Sequence, residues 1–242
     1  MPSSPDTTPP PSQPSSPAPS RPGARLPNEP LSQFLQRLPP AEAAQTTPAH
    51  LLPPWYWIDN PHRNTADGES SADMAAFLRD GRELLRRFKL ARALCTPNDP
   101  RRTQLREGLK ADIAALARRC GVTIGKWMLF PKVDEVNEVW RKVCEGVDAD
   151  RLGIGAKVST SGEEDGEPTR LICVYTKDFT DVEDVKRVLL ALVDMGLVRA
   201  DMPRGIVYKC DAYTYLEIYG KNEYGLRPSI YGSKEMLAGN LS

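Results

Sequence analysis

The chain has 242 residues, of which 40% are hydrophobic and 26% charged, a composition typical of a soluble globular protein with one or two domains. Lysine plus arginine and aspartate plus glutamate number 32 each, which argues against the overall basic field of a non-specific duplex binder but leaves room for a local basic patch. The N-terminus lacks an apolar signal core and no apolar run approaches the roughly 18 residues of a membrane span. We therefore expect a cytoplasmic protein, with the nucleus as a second compartment.

The cysteine pattern also predicts an intracellular compartment. The five cysteines are widely spaced and form no C-x-x-C pair, so the sequence predicts neither a disulfide framework nor a zinc site; they are Cys95, Cys120, Cys144, Cys173 and Cys210. A reducing compartment is the simplest interpretation.

Residues 1–50 are rich in proline, serine, threonine and alanine, and 16 of the 23 prolines lie at or before Pro54. Such a segment buries too little apolar surface to offset its ordering entropy, so we predict a disordered tail. Its proline runs favour polyproline II, either as a ligand for a protein partner or as a solvated tail. The i, i+3, i+4, i+7 apolar spacing of Leu31–Leu38 predicts a short helix that docks on the body or binds a partner.

The folded domain is predicted to span residues 51–242 and to begin with a strand around Trp55 and Trp57. We expect one ring to face the core and the other the opposite sheet face, where it either stacks on a base or peptide or merely covers the sheet edge. Two helices are predicted next, over residues 72–94 and 102–120, from their apolar stripes. Arginines lie mostly off the first stripe and either bind phosphates or form a solvated face.

A short apolar run from Thr123 to Phe130 separates these helices from the second half of the domain. Glycines before it and Pro131 after it favour an interior strand, with Trp127 in the core. We then predict a helix over residues 134–145, a hairpin of strands 152–159 and 169–176, and a strand over 204–210. A Thr180–Glu183 capping box predicts the start of a further helix that ends at Gly196. The fold class is therefore α+β.

Motifs for catalysis are not evident. His50 and His62, the two histidines, both lie at the junction of tail and domain, and Gly153-Ile-Gly155 is too short for a phosphate fingerprint and predicts a strand bend. We predict no catalytic residue, metal or cofactor, so an enzyme is the weaker hypothesis. Two tyrosine-rich segments near the C-terminus, residues 211–219 and 224–231, are compatible with a nucleotide-binding site. They are equally compatible with tyrosines that hold the last strand in place by packing.

Several segments carry a resemblance to a known family. They are Gly-Lys-Trp-Met-Leu-Phe at 125–130, the helix with Val139-Trp140, the strands with Lys157 and Arg170, Tyr-Lys-x-Asp-x-Tyr-Thr-Tyr-Leu-x-Ile-Tyr at 208–219 and Gly-Leu-Arg-Pro-Ser-Ile-Tyr at 225–231. From about Leu51 onward the chain resembles the basophilic-leukaemia-expressed protein family. The resemblance implies a fold similar to the cap-binding translation initiation factor 4E, a curved antiparallel sheet with helices across its convex face. It implies no particular activity.

The likeness to the initiation factor also suggests residue roles. Its Gly-Arg-Trp strand is similar to Gly125-Lys126-Trp127, which implies a core role for Trp127, and its cap-phosphate cations come from the hairpin that Lys157 and Arg170 occupy. One stacking tryptophan and a glutamate that reads guanine precede that strand in the factor. Here the helix ending at Cys120 has no tryptophan followed by a glutamate, so we do not expect cap binding with the factor's geometry.

We therefore predict a non-enzymatic binding protein that takes RNA or a nucleotide on the concave sheet face. The residues predicted to stack on the ligand or to neutralise its phosphates are Trp55, Trp57, Lys157, Arg170, Lys209 and Arg227. The alternative is a protein-interaction adaptor that uses its helical face and proline-rich tail. An enzyme acting on a phosphorylated small molecule is the third hypothesis.

Overall fold

The computed structural model describes residues 21–63, 72–161, 169–199 and 201–239. Within these residues the architecture is α+β, with one curved, unclosed antiparallel sheet of six strands in the order β1-β3-β4-β2-β5-β6. The strands are β1 Trp55–Asp59, β2 Gly125–Leu129, β3 Gly155–Ser159, β4 Ile172–Thr176, β5 Val207–Cys210 and β6 Tyr231–Gly232. The predicted central strand thus lies inside the sheet, between β4 and β5.

Helices occupy most of the connections between the strands. In chain order they are α1 Leu31–Arg37, α2 Ala43–Thr46, α3 Met74–Ala93, α4 Arg101–Arg119, α5 Val136–Asp148, α6 Val182–Asp194, α7 Asp211–Tyr215 and α8 Ser233–Leu237. Among the described residues no helix is both long and apolar enough to cross a membrane. The long helices match the predicted segments to within a few residues.

Alternation along the strands separates two sheet faces. Trp127 and Leu129 of β2 and Val174 of β4 are buried in the main core. Helix α6 covers this face, since the Trp127 indole donates to the Val185 carbonyl at 3.0 Å. Lys126, which precedes Trp127, points to the opposite side, as the two-residue period of a strand requires. We call that opposite side the open face.

A glycine in β2 allows the core to close around an aromatic pair. The rings of Trp127 and Tyr208 meet edge to face with centroids 5.3 Å apart, and the Tyr208 hydroxyl bonds the Thr176 hydroxyl at 2.5 Å. A methyl group at Gly125 would overlap the Tyr208 ring. A Cβ atom at Gly153 would likewise overlap the backbone carbonyl oxygen of Tyr175. Glycine is therefore required there for close packing of two backbone segments, in agreement with the predicted strand bend and not with a phosphate-binding loop.

The prediction of a disordered tail through residue 50 is wrong for residues 21–50. Residues 23–25 run beside β1, where the Trp57 amide donates to the Gly23 carbonyl and the Arg25 amide to the Trp57 carbonyl. Helix α1 docks on α5, with Phe34 fully buried against Trp140. Specific tertiary contacts therefore order a segment whose composition alone favours disorder. Residues 1–20 lie outside the described part of the chain.

Two local predictions also need correction. Trp55 and Trp57 both lie on the open face, because side chains two residues apart in a strand share a face, while Tyr56 and Ile58 enter the core. Helix α6 is capped one residue later than predicted, by Asp181, whose carboxylate accepts from the amide of Asp184 at 3.1 Å. Aspartate is at least as good a helix cap as threonine, which explains the shift by one residue.

A candidate nucleic-acid interface on the open sheet face

The open face carries a row of aromatic and basic side chains that crosses five strands. The register places Trp57 opposite Lys157, and Lys157 opposite Cys173. The adjacent row places Tyr175 opposite Lys126, and Lys126 opposite Lys209. Residues that are distant in sequence are therefore neighbours on one surface of the sheet.

Three aromatic rings surround the ammonium group of Lys157. Its Nζ lies 3.9 Å from the ring centroid of Trp55, 4.8 Å from that of Trp57 and 5.7 Å from that of Tyr175. The rings of Trp57 and Tyr175 are parallel to within 13°, with centroids 6.3 Å apart. Cation–π attraction holds such an ammonium group without a carboxylate partner. We call Trp55, Trp57, Tyr175 and Lys157 the aromatic cluster.

Burial perturbs the titration of this cluster. Lys157 is half-buried, and desolvation lowers its pKa below the ordinary 10.5. Desolvation likewise raises the pKa of Tyr175, so its hydroxyl stays protonated at neutral pH. In the described part of the chain Lys157 forms no ion pair, although its charge is partly withdrawn from water. An anion brought to this surface would therefore meet an uncompensated cation.

A second group of charges lies beside the aromatic cluster. Lys126 and Lys209 are directly opposite each other on β2 and β5, a like-charge arrangement that is unfavourable unless something compensates it. Asp211, which follows β5, forms an ion pair with Lys126. Lys126 also lies 5.6 Å from the Tyr175 ring centroid, which links this lysine pair to the aromatic cluster.

Arg21 lies at the outer edge of the open face, against Trp57. Its guanidinium carbon lies 4.8 Å from the Trp57 ring centroid, and it forms an ion pair with Asp59 at 2.9 Å. Both partners of this pair are more than half exposed, so the pair contributes at most about 1 kcal/mol to stability. A ligand that stacks on Trp57 would displace Arg21 at little cost.

Four of the six residues predicted for the site come together on this face, namely Trp55, Trp57, Lys157 and Lys209. The other two do not. Arg170 lies before β4 and is 8% exposed, on the side to which Ile172 and Val174 also point. Arg227 lies in the loop between α7 and β6, whose Tyr224 packs on Phe88 of α3, and it belongs to none of the strands of the sheet.

The side chains that could ligate a metal ion or act as a nucleophile lie apart from one another in the described part of the chain. No group of three or more histidine, cysteine or acidic side chains could hold a metal ion there. Burial raises the pKa of Cys173 to about 11 and that of Cys210 to about 12, so neither thiol supplies a thiolate at neutral pH. His62 bonds the backbone carbonyl of Asp148 at 3.1 Å.

The sequence interpretation missed three members of the surface: Tyr175, Asp211 and Arg21. Strand alternation from the inward Val174 would have placed Tyr175 beside Lys157 on the open face. No local signal would have found Arg21, because its contact with Trp57 depends on the path of a segment with a loop composition.

One comparison with known proteins bears on this chain. The family model described as basophilic leukemia-expressed protein Bles03 matches residues 2–217. That match includes both the aromatic cluster and the lysine pair, as well as the Gly125-Lys126-Trp127 strand on which the resemblance rested. The chain belongs to the basophilic leukemia-expressed protein Bles03 family.

Proposed function

We propose that this chain is a non-enzymatic binding protein that takes single-stranded RNA or a nucleotide on the open face of its sheet. One observation carries the proposal: Trp55, Trp57 and Tyr175 gather around Lys157 on the sheet face opposite the main core. Sheets that present aromatic rings next to cations are a recurring solution for single-stranded nucleic acids, because each base has a face that stacks.

The aromatic cluster would supply stacking. Base–aromatic stacking contributes roughly 1–3 kcal/mol per base and tolerates sequence variation. Trp55 and Trp57 are partly exposed and lie on one side of β1, so bases can approach both rings from the same direction. Lys157, held between the rings, would form an ion pair with a phosphate, which would neutralise its positive charge.

The lysine pair would extend the site toward β5. A phosphate between Lys126 and Lys209 relieves their mutual repulsion and competes with Asp211 for Lys126. With the phosphate on Lys157 this gives two neutralised phosphates, for which the logarithm of affinity should fall with the logarithm of salt at a slope of about −1.4. This slope separates the proposal from purely apolar binding.

We further propose that the fold is related to that of the cap-binding initiation factor, whose likeness includes the Gly125-Lys126-Trp127 strand. The segment that brings the factor's second stacking ring corresponds here to the end of α4 and residues 120–124, which hold no tryptophan. We therefore expect a methylated cap to give no more than a modest advantage over an uncapped end.

Tryptophan fluorescence tests the proposal directly. Two of the four tryptophans, Trp127 and Trp140, are fully buried, so stacking on Trp55 and Trp57 should quench only part of the emission. Titration with uncapped and capped decanucleotides at low salt should give saturable quenching. The Trp55→Phe/Trp57→Phe double variant should retain the buried emission and lose most of the quenching.

Lys157→Gln separates charge from stacking, because it keeps the rings and removes the ammonium group. We expect it to weaken oligonucleotide binding about tenfold. The slope of log affinity against log salt should become less steep by the contribution of about one phosphate. Arg227→Gln is the matched control, since Arg227 lies outside the surface, and it should bind as the wild type does. If neither fluorescence nor electrophoretic mobility responds to any oligonucleotide at low salt, the proposal is wrong.

A further inference from the structure

A second surface lies on the helical hairpin of α3 and α4. Near the turn that joins the two helices, a groove of about 600 Å³ is lined by residues of α3, α4 and that turn alone. Apolar side chains form much of it, including Leu84, Phe88, Leu94, Leu105 and Leu109. Leu94, at the edge of this apolar groove, is 82% exposed.

The charge of this hairpin differs from that of the whole chain. Residues 74–119 contain 12 lysines and arginines against 5 acidic residues, a net charge of +7 in a chain whose net charge is 0. Arg87 and Arg101 stand at the groove, with Asp112 as its acidic member. Their present partners, Glu83 and Asp99, belong to the hairpin itself, and both arginine side chains are mostly exposed, at 70% and 66%. The arginines can therefore turn to an incoming carboxylate.

A glycine at the groove provides an independent indication. Gly108 lies in the middle of α4, where glycine is less favourable for the helix than alanine. A Cβ atom built at this position meets no heavy atom within 4 Å, so nothing inside the described fold requires a glycine there. Glycine does permit another backbone to come close. The open space above Gly108 is part of the groove.

We propose that this groove binds an acidic amphipathic helix of a protein partner, which crosses α4 most closely at Gly108. Apolar residues of the partner at i, i+3, i+4 and i+7 would enter between Leu84, Leu94 and Leu105, as in other helix-in-groove complexes. Its carboxylates would pair with Arg87 and Arg101. The proposal goes beyond the proposed RNA or nucleotide binding, because the groove shares no residue with the open face.

An unbiased peptide selection tests it. A library of random 16-residue peptides is displayed and panned on the full-length protein, with counter-selection on Gly108→Trp, whose indole would fill the groove. We expect enriched peptides to be acidic and to have helical apolar spacing. They should bind the wild type at least tenfold more tightly than Gly108→Trp. Gly108→Ala, which adds only a methyl group, should fold at least as stably and weaken binding less.

Charge reversal provides the second readout. Arg87→Glu/Arg101→Glu should lose at least tenfold in affinity for a selected acidic peptide, and exchanging its glutamates for lysines should restore binding to that variant. The proposal is overturned if selection enriches no peptide, if Gly108→Trp binds the enriched peptides equally well, or if the protein instead binds anionic phospholipid vesicles through these residues. Oligonucleotide affinity of Gly108→Trp should equal that of the wild type, so failure here does not bear on the open face.

Discussion

Replacing Phe34 by alanine tests whether the N-terminal segment belongs to the folded body. Helix α1 has seven residues, too few for a helix that is stable alone in water. Phe34 is fully buried, and its ring meets that of Trp140 edge to face with centroids 6.5 Å apart. The helix therefore depends on this contact for its order.

The size of the effect of Phe34→Ala depends on the burial of the ring and on how the N-terminal segment is attached to the body. Removing a fully buried phenylalanine ring costs about 3–5 kcal/mol in a core that cannot relax. Helix α1 can instead detach locally while the sheet stays folded, so the loss in global free energy of unfolding is limited to the docking free energy of the segment. We expect local detachment, with at least a hundredfold faster amide exchange over residues 31–38, since every 1.4 kcal/mol is about tenfold.

Hydrogen exchange with mass spectrometry measures this change peptide by peptide. The amides of Phe34 and Leu38, which bond the carbonyls of Pro30 and Phe34, should lose their protection. Detachment should also uncover Trp140 and shift its emission to longer wavelength. Leu26→Ala is the control, because Leu26 lies in the same segment and is 45% exposed. Unchanged exchange over residues 31–38 in Phe34→Ala would refute the reasoning.

Three further changes have outcomes that the structure specifies. Gly125→Ala should lower the free energy of unfolding by about 1–3 kcal/mol in a denaturant titration, because its methyl group overlaps the Tyr208 ring. Iodoacetamide at pH 8 should modify Cys95 and spare Cys173, which is buried and has a pKa of about 11; peptide mass spectrometry reads the sites. Lys157→Met should be at least as stable as the wild type at pH 7 yet bind oligonucleotides poorly. Because the folded-state pKa of Lys157 is lowered, the wild type should regain stability relative to this variant as pH rises toward 10.5.

Periodic segments were predictable because their signal is local. The stripes of α5 and α6 and the apolar run of β2 predict their own burial, and Trp127 and Trp140 are in the core as expected. The hairpin of β3 and β4 is confirmed by its antiparallel register. Each of these elements satisfies its hydrophobic pattern with the simplest packing, a helix or strand with one side against a shared core.

The candidate site was less predictable because register and chain path decide it. Lys209 joins the surface only because β5 pairs with β2 and not with a neighbour in sequence order. Arg227 has the same chemistry, but its loop packs on the helical hairpin. The order of residues 21–50 depends on a complementary surface around Trp140, which lies more than 90 residues away in sequence. The composition of the segment carries no information about such a distant contact.

The shape of the open face restricts what it can bind. Cavities of about 750 Å³ and 600 Å³ lie against α1 and α5 and between α3 and α4, whereas the aromatic cluster and the lysine pair stand on the strands themselves. Small-molecule sites commonly bury 70–90% of their ligand, which a sheet surface does not achieve. Useful affinity on such a face must come from several modest contacts spread over the strands from β1 to β5.

An extended ligand should therefore bind much more tightly than a single nucleotide. A second stacked base at roughly 1–3 kcal/mol, added to a mononucleotide that uses only one ring, corresponds to a factor of at least about 5 in affinity, before any added phosphate contact is counted. Competition of a fluorescent decanucleotide with unlabelled chains of one, two, four and eight nucleotides measures this dependence. Affinity should rise steeply up to about four nucleotides and then level off. A mononucleotide that competes as well as the octamer would mean that a single pocket, and not the row of side chains across the sheet, holds the ligand.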